Sequence, residues 1–202
     1  MKQAGPFAIL GVAALWLHAH YDELPARIPV HWNAAGQANG FVMRTPAGAG
    51  SPLILGAVLC LVMVLVKRAM SGAEPSPLRD ATLRVLLAVE YFIALLCCGV
   101  LAAMASNGRL LTPVLLGSFA LVLALVIFAA TSLRGLPQEP VRNPAAWRAG
   151  IFYYDPADPA LFVPKRSGLG YTFNFGRPSA IILAIALIVL PIAIAVVTIS
   201  AR

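Results

Sequence analysis

The sequence predicts an all-α fold: a polytopic membrane bundle of five transmembrane helices and two ordered loops, with a short β-hairpin in the second of those loops. Three observations carry this. Apolar runs occupy residues 4–20, 51–66, 85–105, 110–133 and 179–200. A hydrocarbon layer of roughly 30 Å needs around 20 apolar helical residues, with about 17 workable, so four runs are adequate or nearly so and the first is marginal. Second, the chain is 60% hydrophobic and 11% charged, with mean hydropathy +0.84; a water-facing surface needs about a quarter charged residues. Third, the basic residues divide unevenly between the segments that join the runs.

That division sets an expected orientation. With the N-terminus inside, Lys2, Lys67, Arg68, Arg79, Arg84, Arg134, Arg142, Arg148, Lys165, Arg166 and Arg177 are cytoplasmic, whereas Arg27, Arg44, Arg109 and Arg202 are exterior. The excess of basic residues on one side places the N-terminus inside and the C-terminus outside. The same residues lie near anionic headgroups, so the net charge of +7 is accounted for by the lipid bilayer and no nucleic acid is expected as a partner.

The first run follows Lys2, but Leu17-His18-Ala19-His20 offers no small-x-small cleavage site, so it is read as an uncleaved helix. On the second helix Gly56 and Cys60 stand four apart, as do Ala180 and Ala184 on the fifth, a spacing that lets membrane helices approach closely. Cys60, Cys97 and Cys98 all fall within apolar runs and lack disulfide or zinc spacing; they are read as small packing residues. Glu90 is the single acid inside a run, where a carboxylate costs about 2.5–3.5 kcal/mol. It is expected to snorkel to the headgroups, to serve as a proton or cation site, or to pair with a basic residue of the loop at 134–178. Pro191 removes a backbone donor within the fifth helix and predicts a kink.

The loop at 21–50 is unlike a linker. Pro25 and Pro29 frame Ile28 in extended backbone, His31, Trp32 and Asn33 follow, and Asn39-Gly40 signals a tight turn. An extended strand on the membrane surface is expected, with Trp32 at the interface. His18, His20, Asp22, Glu23 and His31 offer an alternative, a metal-dependent site at the outer face. In the loop at 134–178, Asp155-Pro156 and Asp158-Pro159 mark turns, while Tyr171, Phe173 and Phe175 alternate as in a strand. An amphipathic hairpin on the cytoplasmic headgroups is expected, Lys165 and Arg166 reaching phosphate. Gly168-x-Gly170 is too short for a nucleotide-phosphate fingerprint.

The stretch Leu24-Pro25-Ala26-Arg27-Ile28-Pro29-Val30-His31-Trp32-Asn33, with Gly36 after it, resembles the N-terminal domain of unknown function in SdpI-type bacteriocin immunity proteins, over about residues 8–66. The resemblance implies a bacterial inner-membrane protein and, in some relatives, protection from a secreted toxic peptide or relay to a transcriptional repressor. The aromatic and basic loop before the last helix resembles a second, uncharacterised module of bacterial membrane proteins. Three parts are therefore expected: a helix pair with its exterior loop at 1–66, a second pair with its linker at 67–133, and the aromatic module with the last helix at 134–202.

No nucleophile constellation is visible, and neither a cofactor nor a bound metal is expected. The leading expectation is a non-catalytic binding, immunity or sensing protein in the cell inner membrane, alone or in a homo- or hetero-oligomer. Its partners would be a toxic peptide or a cytoplasmic regulator, and its binding residues His31, Trp32, Asn33, Tyr154, Lys165, Arg166 and Asn174. A small transporter or channel subunit using Glu90 is the alternative, and an enzyme using the exterior histidines the third.

Overall fold

The computed structural model describes residues 3–71, 75–168 and 170–200; Lys2, Arg202 and Leu169 lie outside them. Five α-helices are present among these residues: α1 (Ala4–Ala19), α2 (Pro46–Ser71), α3 (Pro77–Ala105), α4 (Leu111–Leu133) and α5 (Pro178–Ser200). Three are long and apolar enough to cross a membrane, covering Pro46–Met70, Pro77–Ala105 and Leu111–Leu133, while Ala4–Ala19 and Pro178–Ala193 form shorter apolar stretches. No residue of α4 is buried, and Leu116 and Phe119 are 67% and 72% exposed. A helix that is apolar on every side and covered on none is at ease in hydrocarbon and not in water.

Helices α2 and α3 begin five and eight residues before their apolar runs, because polar caps outside those runs start them. Thr45 Oγ1 accepts the Gly48 amide at 3.0 Å ahead of Pro46, and Ser76 Oγ accepts the Arg79 amide at 3.1 Å ahead of Pro77. Hydroxyl cap followed by proline is a strong helix start. Pro52 cannot donate to the Gly48 carbonyl one turn back; the Ser51 hydroxyl donates there instead, at 2.9 Å. Helix α3 ends in a paired motif, Gly108 N–H to Ala103 O at 2.8 Å and Asn107 N–H to Met104 O at 3.1 Å, with Asn107 at φ 53°.

The chain divides into two compact units, and the division runs through α2, α3, α4 and α5. One comprises residues 1–61, 89–125 and 191–202. It contains an antiparallel hairpin, β1 (Arg27–Trp32) with β2 (Ala38–Met43), where a single extended strand was expected. Its core joins Leu10 and Leu17 of α1, Ile28 and Val42 of the hairpin, Leu53 and Cys60 of α2, and Cys97 and Leu101 of α3. The expected close approach at Gly56 is present, since a methyl group there would stand 2.9 Å from Cys97 Sγ.

The other unit comprises residues 62–88 and 126–190. Two more antiparallel hairpins lie in it, β3 (Trp147–Arg148) with β4 (Phe152–Tyr153) and β5 (Phe162–Pro164) with β6 (Tyr171–Phe173); a bridge from Tyr153 to Asn174 connects them. The alternating strand β5 serves two clusters. Phe162 packs with Val66, Met70 and Leu83, whereas Val163 packs with Trp147 and Tyr153.

Candidate functional site

Of the residues predicted from sequence, His31, Trp32 and Asn33 share one hairpin, Lys165 and Arg166 share one cleft, and Tyr154, Asn174 and Glu90 belong to neither. In the first unit, the β1–β2 turn is built by Asn33. Its Oδ1 accepts the amides of Ala35 at 3.0 Å and Gln37 at 2.9 Å, and its Nδ2 donates to Gln37 Oε1 at 3.1 Å. Gly36 supplies the left-handed residue, φ 75°. The turn is thus at 33–37 and not at Asn39-Gly40, which lies within β2. Gly40 answers a different need: it pairs with His31 across the hairpin, and a methyl group on it would meet His31 Cβ at 2.8 Å.

His31 remains exposed and bonds Asn39 Oδ1 through Nδ1 at 2.5 Å. With the proton on Nδ1, Nε2 is left as an acceptor for a ligand donor. Half-buried Trp32 packs against the core, its Nε1 2.7 Å from where a methyl group on Gly108 would stand. Sequence reading missed Arg44, which fixes the hairpin to the end of α1. Its Nη1 donates to the carbonyls of Asp22 at 2.6 Å and Leu24 at 3.2 Å, and its guanidinium lies 5.7 Å from the Tyr21 ring centre.

The exterior histidines do not converge. His20 stacks on Trp16 at 4.8 Å and bonds its carbonyl at 2.9 Å. Among the described residues no three His, Cys, Asp or Glu side chains are placed to hold a metal ion.

In the second unit Asn174 is fully buried. Its Nδ2 faces the carbonyls of Asp155 at 2.9 Å, Asp158 at 3.1 Å and Ala160 at 3.1 Å. Its Oδ1 accepts the amides of Asp155 and Gly176, each at 3.0 Å. Both Asp-Pro turns are therefore held by one amide, and each Asp closes its own turn through the amide two residues on, Ala157 and Ala160. A polar knot completes the fold, and sequence reading missed it: the Tyr153 hydroxyl donates to Asp158 Oδ2 at 2.9 Å, Arg142 Nε pairs with the same oxygen at 2.9 Å, and Asn143 Nδ2 donates to Asp155 Oδ2 at 2.7 Å. Burial, then the bond to Asp158, pushes the Tyr153 hydroxyl well above its ordinary range. The Asn143 bond holds the Asp155 carboxyl below its own. The repeated Asp-Pro with a later Asn was the available signal for the braced turns, though not for the knot.

Tyr154 is 49% exposed. Lys165 and Arg166 are exposed in the β5–β6 turn. They line a cleft of about 290 Å³ with Trp147, Ile151, Phe152 and Phe175. Glu90 stands apart within α3 and is fully buried, so protein encloses the carboxylate, contrary to the expectation that it snorkels to the headgroups. Its backbone carbonyl accepts the Cys60 thiol at 3.7 Å.

Two stretches match family models. Residues 8–56 match a domain of unknown function (DUF1648), and residues 156–181 match a family of unknown function (DUF5808), which fits a chain built of two modules. No curated protein matches the chain, and no solved structure does.

Proposed function

We propose that this chain is a non-catalytic binding protein of a bacterial inner membrane, of the immunity or sensing kind, whose β1–β2 hairpin meets a peptide or envelope ligand on the outer face. In this reading all five helices cross the bilayer, α1 and α5 despite their shorter apolar lengths, with the N-terminus inside as the basic residues favour. The resemblance of the Pro-framed stretch to SdpI-type immunity proteins supplies the ligand class.

The observation that carries the reading is the preorganised hairpin. Asn33 fixes its turn, Arg44 its base and Trp32 its flank, while His31 stays exposed with its Nδ1 bonded to Asn39. Rigid presentation of an exposed imidazole lowers the entropy lost on binding. The test is deletion of the gene and challenge with envelope-active peptides, followed by complementation. Deletion should sensitise cells; His31→Ala should fail to protect at normal abundance, and His18→Ala should protect fully. Unchanged sensitivity on deletion, or equal tolerance of every substitution, would leave the hairpin a structural cap.

One observation favours a second reading, ion movement: the complete burial of Glu90 within a span. Glu90→Gln should then abolish a pH-dependent phenotype without lowering abundance. On the binding reading the same variant retains function.

A further inference from the structure

The second unit carries a site that the binding reading does not use. The cleft of about 290 Å³ lies between the tip of the β3–β4 hairpin and the β5–β6 turn. Its cationic wall is Lys165 and Arg166, with Ser167 and Thr172 adding hydroxyls, and no Asp or Glu lines it. Neither cation enters an ion pair among the described residues. The hairpin tip turns through Ala149 at φ 48° and Gly150 at φ 73°, and projects Ile151 and Phe152, 63% and 49% exposed. Phe152 is seated edge-on to Phe175 at 5.7 Å, so the apolar tip is held in place.

Exposed apolar side chains on a fixed tip, beside two cations lacking counter-charges, match one kind of surface. Apolar groups enter the boundary between headgroups and acyl chains while Lys and Arg take the phosphates. A soluble phosphate would satisfy the cations and leave Ile151 and Phe152 in water; a lipid satisfies both. We propose that this cleft binds the phosphate headgroup of an anionic glycerophospholipid, Lys165 and Arg166 contacting the phosphate and Ile151 and Phe152 the proximal acyl chain.

The experiment uses the full chain in detergent, titrated with short-chain phosphatidylglycerol, short-chain phosphatidylcholine and inorganic phosphate, with binding read by native mass spectrometry. Phosphatidylglycerol should bind better than phosphatidylcholine, and Lys165→Gln with Arg166→Gln should weaken it roughly tenfold to thirtyfold. An equal loss of charge at exposed Arg68 and Arg134, both changed to Gln, should not. Ile151→Ser should weaken lipid binding and leave inorganic phosphate unaffected. Equal affinity for the two lipids, an equal effect of the control pair, or phosphate binding as tight as phosphatidylglycerol would each overturn the proposal. Circular dichroism and gel-filtration profiles matching the parent confirm that the variants, all at surface positions, remain folded.

Discussion

Asn174 illustrates how much one side chain can hold, since residues 155–160, which it braces, form neither helix nor strand. Its carboxamide faces three carbonyls and two amides in a site closed to water, so truncation strands several buried polar groups together. Asn174→Ala is expected to destabilise the module by about 3 kcal/mol, since each stranded group costs about 1–3 kcal/mol and relaxation recovers part. Asn174→Asp should cost as much, because it sets an oxygen against carbonyls. Tyr154→Ala, at an exposed position, should stay within about 0.5 kcal/mol. Thermal unfolding in detergent and tryptic cleavage at Lys165 and Arg166 would measure all three. Both residues were expected to bind ligand from their types alone; burial and bonding, which only the fold supplies, make Asn174 a brace.

At the scale of elements, the hairpin module 142–177 should lose stability at both ends of the pH range. The Asp155 carboxyl is held below its ordinary 3.8 by Asn143, so its contribution is complete above that value and vanishes as pH falls through the lower folded one. Tyr153 and Tyr171 are raised above 10.0, both chiefly by burial. Their contributions are complete below that value and fade as pH climbs toward the folded ones. Protease susceptibility of the module against pH should therefore rise at both extremes; Asp155→Asn should flatten the acid limb and Tyr153→Phe the alkaline one. Loss of neither dependence in these variants would show that other groups govern it. Helices were legible in the sequence as apolar runs, but the true starts of α2 and α3 were not, because Thr45 and Ser76 act through backbone geometry beyond those runs. Asn39-Gly40 misled for a related reason. A glycine serves a tight turn or a close cross-strand neighbour equally well, and which one it meets depends on pairing with His31. The Arg142–Asp158–Tyr153 knot left no trace, since its members meet only after two hairpins form.

For the whole molecule, the testable quantity is the number of crossings. Three helices have span length, and the five-crossing reading adds α1 and α5. Cysteine at Ala38, in β2, should then react with an impermeant reagent on intact cells, and cysteine at Ala157, in the first Asp-Pro turn, only after the membrane is opened. Labelling of both from one side would sink five crossings. The native cysteines should contribute little background, with Cys60 and Cys97 buried and Cys98 partly so.

The seating of Trp32 on Gly108 has a mechanical consequence. Gly108 occupies the α3–α4 connection at φ 84°, a backbone state that side-chain-bearing residues rarely adopt and a spot where any added carbon would strike the indole. A side chain at position 108 would push the indole aside, so Gly108→Ala is expected to loosen the β1–β2 hairpin as well as strain the α3–α4 turn. The fit of the hairpin beside this turn thus depends on the absence of a single carbon atom.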